Sequence, residues 1–297
     1  MEGARLLVTP LVYLSPTLRR VTWPTYAANA MLPPLPSSIS PSRIGSFTDC
    51  PRLFQYQAIE RLEQPPTIWT LKGTLVHAAL ERLFGEDPPD RTIEAAVGAL
   101  DAVVTSEEGA AGIAALGLTG SDARAFVADA DALVRRYFEL EDPSGIDAVG
   151  VELRVETTLE TGDPEPVHLR GIIDRLDRME NGDLVVVDYK TGRAPSPGRE
   201  RSKLAAVETY ALLCERALGV RPVAVRLLHL REPVVIERRI GAAEVARQER
   251  RTVQVWSAIS TAYAKGSFRP SPGPLCRFCA FSDRCEGAAS IGVARAS

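Results

Sequence analysis

The chain has 297 residues, of which 45% are hydrophobic and 25% charged, and its 35 basic and 38 acidic side chains give a net charge of −3. These values are typical of a globular protein and exclude a disordered, fibrous or histone-like chain. No apolar run approaches the ~18 residues that span a bilayer, and five cysteines are too few for a disulfide-stapled secreted scaffold. We therefore expect a cytoplasmic protein with one large domain or two small ones and no membrane partner.

We expect residues 1–37 to form a disordered N-terminal extension, because the stretch ends in a Pro- and Ser-rich segment that no helix accommodates. Apolar residues at helical spacing then predict a helical region over about 43–141, with a Gly-rich break at 109–120. Its helices are expected over about 43–62, 71–85, 90–106 and 121–141.

The pattern changes near residue 150, where short segments rich in Val, Ile and Leu alternate with turn residues and predict strands. The expected strands are Val151–Leu159, His168–Met179, Leu184–Lys190, Val223–Leu230 and Val234–Ile240, with helices over about 201–218 and 242–265. A mixed α/β core over about 150–265 therefore follows the helical region, and we expect residues 288–297 to be a tail.

Three charged residues stand on the second and third expected strands. Asp188 and Lys190 are two residues apart, so they project from the same face. A carboxylate at the end of an apolar strand is costly unless it is paired or bound to a cation. With Asp174 of the preceding strand, this pair could hold Mg²⁺ and position a water molecule. An ordinary surface pair of Asp188 and Lys190 is the alternative.

The turn between these strands decides whether Asp174 joins the pair. If the loop is Asn181–Asp183, Asp174 falls opposite Lys190 on the same face. If Asn181-Gly182 forms a two-residue turn, Asp174 lies on the other face. An active site at these residues therefore requires the longer loop or a compensating bulge.

Near the C-terminus, Cys276, Cys279 and Cys285 form a Cys-x2-Cys-x5-Cys run, which in a cytosolic protein indicates metal ligation. A fourth ligand is needed, whether for zinc or for a 4Fe–4S cluster. Cys50 is the other cysteine outside an apolar helix face, since Cys214 is expected to be a buried apolar residue. The isolation of Cys50 fits a cluster that joins the two ends of the folded chain, with zinc or free thiols as alternatives.

Five segments resemble the PD-(D/E)XK nuclease superfamily, and more closely its RecB-type exonuclease domain with a C-terminal iron–sulfur cysteine cluster. They are Gly73-Thr74-Leu75-Val76-His77, Gly171-Ile172-Ile173-Asp174-Arg175-Leu176-Asp177, Val187-Asp188-Tyr189-Lys190-Thr191-Gly192, Cys50-Pro51 and the terminal cysteine run. They occur in the family's order over about 38–287. The resemblance implies an α/β, restriction-endonuclease-like mixed sheet flanked by helices, with an N-terminal helical region and a C-terminal iron–sulfur module at 276–285.

The resemblance also implies roles for individual residues. Asp174, Asp188 and His77 would bind Mg²⁺ or Mn²⁺, and Lys190 would be the catalytic lysine. Glu152, opening the first strand, matches an acidic position of RecB-type sites less firmly. The ligands of a 4Fe–4S cluster would be Cys50, Cys276, Cys279 and Cys285. Without this context, His77 is a core or partly buried imidazole.

One position departs from the family pattern. The family carries a Gln four residues before a Tyr on the helix after the lysine strand, whereas here Ala206 precedes Tyr210. Either Lys203 or Glu208 compensates, or activity is reduced. The alternative function is therefore a catalytically degraded nuclease fold that serves as a DNA-binding or partner module.

Arg193, Lys203 and Tyr210 near the loop after the site are candidate contacts to DNA, although a solvated charge cluster explains the basic residues equally well. No Lys of the chain follows a Gly, so a Walker A loop is absent and a helicase partner would be another chain. We thus expect a Mg²⁺-dependent DNA nuclease, which hydrolyses single strands from an end in DNA repair or recombination.

Overall fold

The computed structural model describes residues 32–161, 166–195 and 200–293. Most of the expected N-terminal extension, residues 1–31, lies outside this part, as do residues 294–297 of the expected tail. In the described end of the extension, Leu32 and Leu35 pack against the hydrophobic core. The segment just before residue 38 therefore contributes to the packing of the domain.

Helices dominate the first half of the described chain. They are α1 (Pro41–Asp49), α2 (Pro51–Phe54), α3 (Ile68–Gly85), α4 (Ile93–Val104), α5 (Glu107–Ala115) and α6 (Gly120–Tyr137). The second half adds α7 (Glu200–Leu218), α8 (Ala242–Ala264) and the short α9 (Glu286–Ser290). Within the described ranges, no helix combines the length and the apolar composition needed to cross a membrane.

A five-stranded mixed sheet lies between the helices, with its strands in sequence order. The strands are β1 (Asp147–Leu159), β2 (Val167–Arg178), β3 (Leu184–Lys190), β4 (Ala224–His229) and β5 (Val234–Arg239). Neighbouring strands are antiparallel except β3 and β4, which are parallel. A parallel pair needs a crossover connection, and α7 supplies it. The expected mixed α/β fold is thus confirmed.

Helices cover both faces of this sheet. Val187 of β3 packs with Leu80 of α3 and with residues of α4 and α6 in one core. Its neighbour Val186 packs with Leu212 of α7 and with residues of α1, α2 and α8 in the other core. Successive side chains of a strand point to opposite faces. The continuous apolar run of β3 is therefore explained by burial on both sides.

The first helix differs from the expected helix over about 43–62. It ends at Asp49, and Cys50 is extended (φ −162°, ψ 112°) before Pro51 begins α2. Proline disfavours the helical conformation in the residue before it, but is well accommodated at the first position of a helix. Cys50 therefore lies in a break between two helices rather than inside one.

The Gly-rich segment at 109–120, expected to be a break, begins with most of α5. The side chain of Ser106 accepts a hydrogen bond from the N–H of Gly109 at the start of this helix. Glu107 and Glu108 occupy the first turn, where negative charge is favourable. Good capping and several alanines thus outweigh the glycines.

The turn between β2 and β3 is longer than a two-residue turn. The N–H of Met179 donates to the carbonyl oxygen of Asp183 (2.8 Å), so the loop is Glu180–Gly182. Gly182 adopts a φ of +87°, as expected for a three-residue hairpin loop that closes on a left-handed glycine. The two-residue turn is therefore wrong.

This turn sets the register of the site residues. Arg175 pairs with Val187, which brings Asp174 level with Asp188 rather than with Lys190. The longer-loop alternative is right about the face of the sheet, because the predicted and the observed register differ by two residues, which leaves each side chain on the same face. Its predicted partner for Asp174 is wrong by two positions.

Candidate metal centre

Three elements bring potential metal ligands together beside the sheet. His77 lies on α3, Glu152 on β1 and Asp174 on β2, and one ligand atom from each lies within 4.8 Å of the others. Asp188 of β3 is close enough for the charges of Asp174 and His77 to act on its pKa. The four residues expected to bind the cation thus lie together, with His77, Glu152 and Asp174 as the tightest group.

His77 is oriented by the backbone of β3. Its Nε2 lies 3.1 Å from the carbonyl oxygen of Tyr189, and its Nδ1 lies 3.4 Å from Oδ2 of Asp174. A carbonyl oxygen only accepts, so in this hydrogen bond Nε2 carries the proton. In the neutral ring, the lone pair of Nδ1 is then available to a cation, whereas in the protonated ring Nδ1 donates to Oδ2 of Asp174. Metal-binding histidines almost always donate their second ring N–H, as Nε2 does here.

Asp174 stands where the β2–β3 ladder ends. Its Oδ2 accepts a hydrogen bond from the backbone N–H of Tyr189 (2.8 Å), which fixes the carboxylate beside His77. Burial lowers the pKa of His77. The hydrogen bond between His77 and Asp174 and the negative charge of Asp174 act in the opposite direction, and the net effect is a raised pKa. Asp174 therefore supplies much of the negative potential at this end of the hairpin.

Asp188 and Lys190 form an ion pair on β3. Asp188 is buried, whereas 39% of the Lys190 side chain is exposed. Burial raises the pKa of Asp188 to about 6; Lys190 opposes this shift, and the charge of Asp174 adds to it. Lys190 thus offsets part of the negative charge while its ammonium stays accessible from solvent.

Glu152 adopts an unusual backbone conformation. Its φ of +44° is unfavourable for a residue with a side chain, and the β1–β2 register shifts just before it, ahead of Gly150. We expected Glu152 to open the first strand, but β1 already begins at Asp147. Bulges and strained backbone cluster at active sites, where they redirect a side chain. The positive φ of Glu152 and the nearby bulge thus mark this part of β1 as irregular, and no sequence pattern indicates either feature.

A cleft of about 380 Å³ opens over these groups. Its lining is formed by Gly73, Thr74, His77, Ala78, Glu81, Glu152, Ile172 and Asp174. Burial raises the pKa of Glu152 to about 7, and the negative charges of Asp174 and Glu81 add to the shift. The cleft thus gathers more negative charge than its neighbours balance. Since carboxylate oxygens are the ligands that Mg²⁺ and Mn²⁺ prefer, the donor set fits a divalent cation.

The family model of the PD-(D/E)XK nuclease superfamily matches residues 38–286. The chain belongs to this superfamily. Its members are nucleases that use divalent metals such as Mg²⁺, which agrees with the donor set in the cleft.

Comparison with solved structures finds matches of low sequence identity. A protein named "putative exonuclease" from Eubacterium rectale has a TM-score of 0.50 at 10% identity, covering 88% of this chain and 90% of its own. The protein SSO0001 has a TM-score of 0.43 at 14% identity, covering 85% and 87% of the two chains. No curated protein sequence matches this chain significantly. The match to the superfamily model and the five-stranded mixed sheet flanked by helices are consistent with the restriction-endonuclease-like class.

The other face of the β2–β3 hairpin carries a buried polar network that sequence reasoning missed. Arg175 is fully buried and donates to both oxygens of Asp177 (2.7 and 2.9 Å) and to Glu141 (2.5 Å). It also donates to the hydroxyls of Tyr189 (2.8 Å) and Tyr137 (3.2 Å). The available signal was an arginine within a strand that also carries apolar residues, but sequence alone does not show whether such a charge is buried.

The cysteines expected to bind a cluster lie near enough for their charges to act on the pKa of Cys279, but in the described part of the chain they do not form a group of ligand atoms within 4.8 Å. Burial raises the pKa of Cys279, and the charges of Cys285, Cys50 and Cys276 add to the shift. The Sγ of Cys50 accepts a hydrogen bond from the backbone N–H of Ser271 (3.4 Å). The break before α2 and the C-terminal segment therefore meet.

Tyr210 of α7 is the candidate DNA contact that lies beside the carboxylates. Burial raises its pKa, and the negative charges of Asp188 and Asp174 add to the shift. Arg193 is exposed in the loop after β3. The side chain of Lys203 lies outside the described part of the chain.

Ala206, which takes the place of the family Gln, is exposed on α7. Glu208 is one of the two residues expected to compensate for the missing Gln. Its side chain is buried and pairs with Arg238 (2.9 Å) and Arg247 (3.6 Å). These partners belong to β5 and α8, so Glu208 is engaged away from the cleft. Compensation by Glu208 is therefore wrong, while compensation by Lys203 stays a prediction.

Proposed function

We propose that the chain is a Mg²⁺- or Mn²⁺-dependent DNA nuclease of the RecB type, which degrades single-stranded DNA from an end in repair or recombination. The observation that carries the proposal is the group of His77, Glu152 and Asp174 within 4.8 Å, next to the Asp188–Lys190 pair. An imidazole, three carboxylates and an accessible ammonium form a set suited to metal-assisted phosphodiester hydrolysis.

In this proposal His77, Glu152, Asp174 and Asp188 hold the cation. When bound, it would polarise a phosphoryl oxygen and lower the pKa of a water molecule. The backbone of Tyr189 holds both groups in place: its N–H donates to Asp174, and its carbonyl oxygen accepts from the His77 ring. Lys190 provides positive charge beside the phosphate, where it stabilises the negative charge that develops in the transition state.

We further propose that Cys50, Cys276, Cys279 and Cys285 bind a 4Fe–4S cluster. The proximity of the four thiols supports it, as does the hydrogen bond to the Cys50 sulfur, because such bonds tune clusters. The ion pair between Arg52 and Glu286 (2.6 Å) joins the same two segments. The cluster would be structural, since hydrolysis at the carboxylates requires no electron transfer. Visible absorption of the anaerobically purified protein distinguishes it from zinc.

The exposed Ala206 supports a second candidate, a nuclease fold that binds DNA without cleaving it. Ala206 offers no side-chain polar atom where the family carries an amide. The presence of Asp174, Asp188 and Lys190 favours the active enzyme. In either case we propose a cytoplasmic protein that depends on another chain for helicase activity.

The deciding experiment is a nuclease assay on the full, anaerobically purified chain. End-labelled linear and circular single-stranded DNA are compared with Mg²⁺, with Mn²⁺ and with EDTA, using Asp188→Asn and Lys190→Met as controls. We expect metal-dependent degradation of the linear strand alone. Binding without cleavage would favour the second candidate, and equal cleavage by wild type and both variants would reveal a contaminant.

A further inference from the structure

A second cleft, of about 220 Å³, lies beside the metal centre. It is lined by Lys72, Asp129, Leu133, Arg136, Thr191, Arg231 and Glu232. Thr191 directly follows Lys190, and a Cβ built on Gly73 would lie 3.4 Å from the Thr191 hydroxyl. Because Gly73 also lines the first cleft, the two clefts meet at this contact.

Trp69 stands at the rim of the second cleft with 62% of its surface exposed. The guanidinium carbon of Arg231 lies 5.5 Å from the centre of its ring, and the Lys72 ammonium lies 5.1 Å from it. Tryptophan is highly buried on average, so an indole that is this exposed is uncommon. An exposed indole beside an arginine is a typical stacking site for single-stranded nucleic acid.

The position of Trp69 on α3 connects it to the metal centre. Trp69, Gly73 and His77 follow one another at intervals of four residues, so they lie along one face of the helix. The eight helical steps from Trp69 to His77 correspond to about 12 Å along the axis. At ~3.4 Å or more per nucleotide of a strand, this distance corresponds to a few nucleotides.

The charges around the second cleft suit a DNA backbone. Lys72, Arg136 and Arg231 face two carboxylates, Asp129 and Glu232, so the balance is positive. The Lys72 side chain is only 6% exposed and is held by an ion pair with Asp129. Arg136 donates to the backbone carbonyl of Arg231 (3.2 Å), which fixes the turn that carries this arginine. The cations are thus positioned before any ligand arrives.

We propose that Trp69 and Arg231 form a stacking platform for one nucleobase of a single DNA strand, a few nucleotides from the bond cleaved at the metal centre. Arg136 binds the adjoining phosphate, while Lys72, held by Asp129, stays beneath the indole. The inference rests on the proposed function, because it assumes that the strand passes over the carboxylates. It assigns single-strand preference to stacking, since a base paired in a duplex cannot lie flat on the indole.

The test measures binding separately from cleavage. Affinity for a fluorescein-labelled oligothymidylate is measured by anisotropy in EDTA, so that no hydrolysis occurs. Trp69→Ala should weaken binding roughly 5- to 150-fold, the factor that corresponds to the 1–3 kcal/mol measured per stacked base. Trp69→Phe should retain most of the affinity. Ile68→Ala, an exposed neighbour on the same helix, is the matched control and should bind like wild type.

A set of oligonucleotides with one abasic site at successive positions then locates the platform. Wild type should lose the same factor at one position, and Trp69→Ala should be insensitive there. The inference is overturned if Trp69→Ala binds like wild type, or if its response to the abasic series is unchanged.

These outcomes separate the inference from the proposed function. Trp69-dependent binding at one position with no cleavage under any metal would retain the platform and reject the nuclease activity. Metal-dependent cleavage with no effect of Trp69→Ala would do the reverse.

Discussion

The two faces of the β2–β3 hairpin differ in how their charged side chains are paired. Arg175 and Tyr189 lie on one face, and their chain neighbours Asp174 and Asp188 lie on the other. On one face, Arg175 is fully buried and both oxygens of Asp177 accept its hydrogen bonds. On the other face, Asp174 lies near Asp188 and Glu152, and burial, with the negative charge of Asp174 adding to it, raises the pKa of these two carboxyl groups. The same strands therefore carry one satisfied polar network and one set of incompletely balanced carboxylates.

Mutations on the two faces should therefore have different effects. A buried charge is tolerated when its partners satisfy it, and removing one partner is strongly destabilising. Carboxylates that repel one another reduce stability unless a cation binds, so their retention is a sign of a binding or catalytic role. The network of Arg175 should thus respond to mutation in its stability, and the carboxylate face in its activity.

The largest expected effect is loss of activity at the carboxylate face. Asp188→Asn removes a proposed cation ligand, and Lys190→Met removes the proposed charge beside the phosphate. Each should lower turnover by at least ~10²–10³-fold. Initial rates on end-labelled single strands measure this effect.

The same variants should remain folded. Burial and the charge of Asp174 raise the pKa of Asp188 to about 6. At neutral pH the carboxyl is still mostly ionised, so its charge lowers the stability of the folded relative to the unfolded chain. Asp188→Asn should therefore leave the free energy of unfolding in urea unchanged or higher. A large loss of stability would contradict this interpretation.

The four cysteines extend the comparison, because they form the second set of ligands proposed for this chain. Ligation shared by Cys50 and Cys276 would close a loop of 226 residues. By the chain-entropy relation for cross-links, such a closure stabilises by at most about 4–5 kcal/mol. Cys50→Ser and Cys279→Ser should each lose iron and lower the thermal midpoint. Cys214→Ser, in a buried site on α7, is the control and should retain the iron.

A full complement of iron and sulfide in Cys50→Ser would place the fourth ligand elsewhere. Iron and sulfide content are measured together with the thermal midpoint, because this distinguishes a general folding defect from the loss of a ligand.

On the network face, Arg175→Met leaves Asp177 and Glu141 without their cation. Removing one partner of a buried ion pair costs about 3–5 kcal/mol, which urea unfolding would detect. Arg178→Met is the matched control, because its pair with Asp147 (2.8 Å) is more than half exposed and contributes at most about 1 kcal/mol. Similar losses in both variants would show that burial of the network is not decisive.

The contrast between the two faces also marks the limit of sequence reasoning. β3 could be predicted to the residue, since a run buried on both faces is continuously apolar and ends at Lys190. The break at Cys50 had a signal in Pro51 that the helical pattern obscured. The register at Asp174 depended on one turn, and the bulge before Glu152 depended on tertiary pairing. Burial of Arg175 depended on partners up to 38 residues away, which no local pattern records.

The smallest expected effect tests the contact between β2 and α7 beside the site. A Cβ on Gly171 would lie 2.8 Å from Cε1 of Tyr210 and 2.9 Å from Cδ1 of Leu213. Both neighbours belong to a packed helix, so Gly171→Ala should force α7 outward and cost roughly 1–3 kcal/mol. Gly85→Ala, where nothing lies within 4 Å of the added Cβ, should leave stability unchanged or slightly higher. Combining Gly171→Ala with Leu213→Ala removes one clash, so the two losses of unfolding free energy should sum to more than the measured loss. Strict additivity would show that the strand, rather than α7, absorbs the added methyl group.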